Sequence, residues 1–170
     1  MRLRRHQTGT ALVENAMTMA VFLMMVMAII EFSILMYVWT RGAEAARYAS
    51  RYAIVSDPVM NLSTLDCDGG TVTEITTTCD GVAACNDLME RINAFMPQAE
   101  PENIEVTYRC SDAGFAGRPV ELMIPEVSVK VINMVYRMVI PGLIGMPGEW
   151  PLPPMTSTRT GEDLETVSSS

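Results

Sequence analysis

The chain holds a single histidine, His6, and a single lysine, Lys130. With no histidine after residue 6, a nucleophile–histidine–carboxylate triad cannot be assembled from the body of the chain. The glycines are not arranged as a phosphate loop, because neither Gly69-Gly70 nor the stretch 142–148 leads into a basic helix start. The four cysteines contain no CxxC pair, and with histidine so scarce a zinc site has no ligand set. Asp66 and Asp68 stand beside Gly69-Gly70 but lack the twelve-residue pattern and closing Glu of a calcium loop. No cofactor or metal is expected, and an enzyme is not expected.

The charge is equally uneven. The 170 residues carry a net charge of −8, yet the first five include Arg2, Arg4 and Arg5. After Pro58 acidic residues outnumber basic ones. Binding to phosphate backbones needs clustered Lys and Arg, so nucleic acid is not an expected partner.

What the chain has in excess is apolar sequence. Hydrophobic residues make up 49% of it, with fifteen methionines. Residues 16–39 form an apolar run long enough to cross a bilayer, which takes about 20 helical residues. The basic start keeps the N-terminus on the cytoplasmic side by the positive-inside rule. All four cysteines, Cys67, Cys79, Cys85 and Cys110, follow the run. They therefore fall outside the cytoplasm, where disulfides form and persist. Two bridges are expected, with Cys67–Cys79 and Cys85–Cys110 the favoured pairing among three.

Three residues at the start of the run carry specific chemistry. Gly9 ends the basic stretch, Thr10 follows it, and Glu14 stands five residues beyond the glycine. A carboxylate entering a membrane span costs up to about 2.5–3.5 kcal/mol at mid-bilayer and less at the interface, so it needs a partner. Cleavage after Gly9 would create one, the α-amine of Thr10 on a neighbouring subunit. The pattern is that of a type IV prepilin: leader 1–9, scissile bond Gly9–Thr10, and an assembly carboxylate at Glu14. Glu31 is the one carboxylate inside the run. It is a second candidate for subunit assembly, or for pairing within a bundle.

The motifs "GTALVENA", "AIIEFSILMY" and "GAEAARYASRYA" give residues 7–55 a more particular character. This segment resembles the N-terminal module of the TadE-like family, minor pilins or pseudopilins of tight-adherence (Tad, Flp-type) pili. Asn15 stands where major Flp pilins carry Tyr and TadE-like proteins often carry Phe. That difference and the chain length argue against a major pilin. The resemblance implies a role in pilus initiation, assembly or adhesion. The implied partners are prepilin peptidase, other Tad pilins and minor pilins, the inner-membrane assembly platform and the lipid bilayer. The implied location is the bacterial inner membrane, single-pass with the C-terminal domain periplasmic, and after assembly the extracellular pilus.

Periodicity supplies the architecture. One helix is expected over residues 10–56, stopping before Asp57-Pro58. Its outer half carries Ala46, Ala49 and Ala53 at helical spacing, a face that lets another backbone approach closely. Beyond it, residues 57–160 read as an α+β domain. A short strand is expected at 71–77, a helix at 81–96, and strands at 103–110, 126–139 and 155–160. Residues 141–154 read as a Pro/Gly-rich loop, and 161–170 as a disordered tail. The fold class is α+β: a long N-terminal transmembrane helix with a small antiparallel β-sheet domain packed on its outer half. Two competing readings remain, an uncleaved single-pass protein and a secreted protein cut near Ala43-Glu44-Ala45, each with a disulfide-bonded binding domain. The run is too long for the 7–15-residue apolar core of a signal peptide.

Overall fold

A computed structural model describes residues 7–65, 74–111, 124–143, 145 and 147–160. The leader residues before Gln7, Cys67 with Asp66 and Asp68, and the tail 161–170 lie outside the described residues. The elements are α1 (Gln7–Ala53), β1 (Glu74–Thr78), α2 (Asn86–Asn93), β2 (Ile104–Ser111), β3 (Ile124–Val131), β4 (Val135–Arg137), α3 (Val139–Leu143), β5 (Glu149–Pro151) and β6 (Met155–Thr160).

α1 is continuous over 47 residues. It contains no proline, and it ends in a tightening turn in which the Val55 N–H donates to the Tyr52 carbonyl at 3.1 Å. Its apolar part holds hydroxyls that bond back to their own helix. Thr18 Oγ1 donates to the Glu14 carbonyl at 2.8 Å, and Ser33 Oγ to the Ile29 carbonyl at 2.7 Å. Such i−4 bonds satisfy hydroxyls that hydrocarbon cannot.

The chain divides into two compact units, Met1–Tyr37 with Tyr136–Trp150, and Val38–Val135 with Pro151–Ser170. In the second, β1, β2, β3 and β6 form an antiparallel sheet in the order β1-β2-β3-β6. Alternation along the strands gives it two unlike faces. One carries Ile104, Val106 and Tyr108 beside Val127, Val129 and Val131, all fully buried. Complete burial of each such apolar side chain contributes about 1.5–3 kcal/mol. The other face is polar: Thr76 meets Thr107 at 3.0 Å, Ser128 meets Thr158 at 3.1 Å, and Lys130 pairs with Glu105 at 2.8 Å.

The outer part of α1 belongs to this unit and packs on the sheet. Ala45, Ala46, Ala49, Ser50 and Ala53 are buried. Ser50 Oγ lies 2.9 Å from Ser157 Oγ on β6, and Gly42 lies against the side chains of Met155 and Met96. α2 adds Leu88, Met89 and Ile92 to the core. Arg41 Nε donates to the Phe95 carbonyl at 3.1 Å, which ties the residues after α2 back to α1.

Four expectations about elements change. The strand expected over 126–139 stops at Val131, because Asn133 adopts a left-handed conformation (φ 55°) that ends the extended run. Asparagine is one of the few residues that visits this region readily. The helix expected over 81–96 is shorter, since Gly81 (φ 68°) and a disulfide hold the preceding residues in a turn. The loop expected at 141–154 instead contains β5 and most of α3. The strand expected at 71–77 lies at Glu74–Thr78, with residues 71–73 outside the described set.

Candidate functional site

The features that bear on function lie along α1. Gly9, Thr10 and Glu14 are all exposed near its start. A Cβ built on Gly9 meets nothing within 4 Å, so the fold itself does not require glycine there. Thr10 and Glu14 are four residues apart and share one face of the helix, one above the other.

Glu31 stands seventeen residues beyond Glu14, about 25 Å along the axis at 1.5 Å per residue. Between them lies an apolar surface that includes Met17, Val21, Phe22, Met25 and Ile29, each more than half exposed. α1 is long and apolar enough to cross a membrane. The two carboxylates thus bracket a length close to the hydrocarbon thickness of about 30 Å.

The Glu31 carboxylate has partners within its own chain. It accepts the backbone N–H of Val139 and that of Ile140, the latter at 3.2 Å to Oε2. These N–H groups open α3, where a helix has no acceptors of its own. Val139 and Ile140 were missed in the sequence. The available signals were an unpaired carboxylate in an apolar run and an apolar Pro-Gly turn with unassigned backbone donors.

Ala46, Ala49 and Ala53 share a face as expected, and that face is buried within the single chain. Ser50, at the same helical spacing, is buried with them, and so is Ala45, which that spacing did not single out.

The cysteine pairing requires correction. Cys79 is bonded to Cys85, with Cα atoms 5.5 Å apart, so neither Cys67–Cys79 nor Cys85–Cys110 forms. The reason is local. The Gly81 turn folds residues 79–85 back on themselves, and the Val82 N–H donates to the Cys79 carbonyl at 3.2 Å. Cys110 is also disulfide-bonded, and Cys67 lies outside the described residues. Among the described residues no cluster of His, Cys, Asp or Glu could hold a metal ion.

Among the described residues, Tyr108 has a shifted acidity. Burial raises its hydroxyl above the ordinary value of 10.0, and the Val59 N–H that donates to it at 3.1 Å works in the opposite direction.

A membrane-capable N-terminal helix, packed in its outer part on a four-stranded antiparallel sheet, defines an α+β pilin-like protein. Residues 9–51 match the model of the TadE-like protein family, so this segment is similar to that family. The match supports a Tad pilus-related protein. No curated protein and no solved structure gave a match.

Proposed function

We propose that the protein is a minor pilin or pseudopilin of a Tad-type pilus, a structural subunit and not an enzyme. Prepilin peptidase removes residues 1–9, and the mature subunit acts in pilus initiation, assembly or adhesion. The observation that carries this reading is the placement of Gly9, Thr10 and Glu14 on the exposed start of a membrane-capable helix, inside the TadE-like segment. The α-amine created at Thr10 lies one turn from Glu14 of its own chain. In a filament it can instead meet Glu14 of a neighbour, so the pair serves as an exchangeable contact between subunits.

The competing readings place the mature end elsewhere. A signal-peptide cut near residue 46 would fall where Ala45 and Ala46 are fully buried in an unbroken helix, which disfavours it. Mass spectrometry of the mature N-terminus, with and without prepilin peptidase, separates all three readings. Thr10 is the expected first residue. Met1 would indicate an uncleaved single-pass protein, and a residue near Ala46 a secreted one. Gly9→Val should leave the leader attached, because the peptidase must accommodate the backbone at the cut and a branched side chain obstructs it. Open space around Gly9 means that the variant tests processing and not folding.

A further inference from the structure

Tyr136–Trp150 lies in the same unit as the apolar part of α1. Its sequence is arranged symmetrically. Tyr136-Arg137 and Glu149-Trp150 form the two ends, and every residue from 138 to 148 is apolar, glycine or proline. Apolar runs of 10–14 residues suit re-entrant or interfacial segments, being too short to span. Aromatic residues flanking such a run mark the membrane–water boundary.

The structure makes a closed hairpin of it. The Met138 N–H donates to the Gly148 carbonyl at 2.6 Å, and the Gly145 N–H to the Gly142 carbonyl at 3.4 Å. Gly148 is required for this closure, since a Cβ there would stand 2.8 Å from the Met138 carbonyl oxygen. The N–H groups that open α3 are taken by Glu31. Among its described residues, the N–H groups of Met138, Val139, Ile140 and Gly145 have acceptors, while Val139 is 72% exposed and Trp150 57%. Glu31 also fixes the depth of the hairpin. With Glu14 at the inner boundary, Glu31 falls about 25 Å further out, close to the outer edge of the hydrocarbon.

We propose that Tyr136–Trp150 is an interfacial membrane hairpin, seated in the outer headgroup boundary of the bilayer and latched to the span by the Glu31 carboxylate. Its occupant is lipid, because its exposed Val139 and Trp150 lie in the same compact unit as the exposed apolar part of α1. Each partner satisfies the other. The carboxylate gains donors where hydration is poor, and the hairpin gains an acceptor that holds its helical turn at the bilayer edge. The inference rests on α1 being a membrane span, and the experiment separates failure of the one from failure of the other.

The chain has two tryptophans, Trp39 and Trp150. The full chain carrying Trp39→Phe is placed in vesicles of phosphatidylethanolamine and phosphatidylglycerol. The acyl chains are brominated either near the headgroup or deep in the tail. Trp150 emission should shift to the blue and be quenched at least twofold more by shallow than by deep bromine. Glu31→Leu should reduce that quenching by half or more, whereas Glu31→Gln, which keeps the shape and one acceptor, should retain most of it. A span reporter, Phe22→Trp in a chain with both native tryptophans replaced by phenylalanine, should be quenched by deep bromine. Unquenched Trp150 beside a quenched span reporter overturns the hairpin. Quenching unchanged by Glu31→Leu overturns the latch. A span reporter that is not quenched overturns the membrane reading, and the hairpin with it.

Discussion

Tyr108 is fully buried beneath the chain that leaves α1, and its hydroxyl accepts the Val59 N–H at 3.1 Å. Burial raises its pKa, so the native state holds the phenolic proton more tightly than the unfolded chain does. The resulting stability is fully present below the ordinary value of about 10 and is lost as pH rises through the higher native value. Unfolding of the detergent-solubilised protein by urea, measured from about pH 8 to pH 11.5, should show stability falling on the alkaline side. Tyr108→Phe should flatten that fall. At neutral pH it should cost about 1–3 kcal/mol, because the buried Val59 N–H is left without an acceptor. An unchanged alkaline slope in the variant would show that other groups govern it. Tyr108 was legible as a buried strand residue from its alternation with Ile104 and Val106, but its partner was not. Val59 comes from an irregular segment whose path no periodicity encodes. The cysteines teach the same lesson. Four thiols allow three pairings, and the choice fell to the left-handed turn at Gly81, a conformation that glycine permits but does not announce.

At the scale of elements, the outer part of α1 is the clearest case of a sequence pattern with two readings. Small residues at steps of three and four suit either a neighbouring subunit or the chain's own sheet. In the single chain Ala46, Ala49 and Ala53 are buried, with Ser50 against Ser157. Ala49→Leu should therefore overpack the domain and lower its stability by about 1–3 kcal/mol. Arg47→Lys changes an exposed residue paired only with Glu44, at 2.6 Å, and should stay within about 0.5 kcal/mol of the parent. Thermal melts of the detergent-solubilised protein check both. A stable Ala49→Leu protein that no longer enters pili would move the face to a subunit contact. The strand β2 lies where alternation put it, since Ile104, Val106 and Tyr108 form one buried face. β3 ends early because alternation in apolar and polar types continued past Asn133 while the backbone did not. The hairpin at 135–151 was unreadable by period, because prolines and glycines erase both helical and strand spacing.

At the scale of the whole molecule, the long helix and its sheet were legible because a membrane span and half-buried strands impose strong periods. The proposed site at the start of α1 rests on three residue types at one spacing, and it falls within the segment that the family model matches. The partner of Glu31 was not, because it comes from more than a hundred residues downstream. Glu14→Ala should be processed normally yet fail to support piliation when it replaces the native copy. Immunoblotting for leader loss and electron microscopy for pili measure the two steps, and normal piliation would remove Glu14 from assembly. One further consequence follows from Gly9 and Thr10 lying within α1. On the proposed processing, the bond to be cut is part of the helix. Local opening there would expose the bond, and glycine favours opening by about 1 kcal/mol relative to alanine. After the proposed cut the helix would begin with an ammonium group at the positive end of its own dipole, an unfavourable placement. Glu14 is the only acidic residue before Glu31 that can offset it. Processing of this kind would turn a quiet helix end into an electrically unbalanced one, and docking beside another subunit's carboxylate would relieve the imbalance.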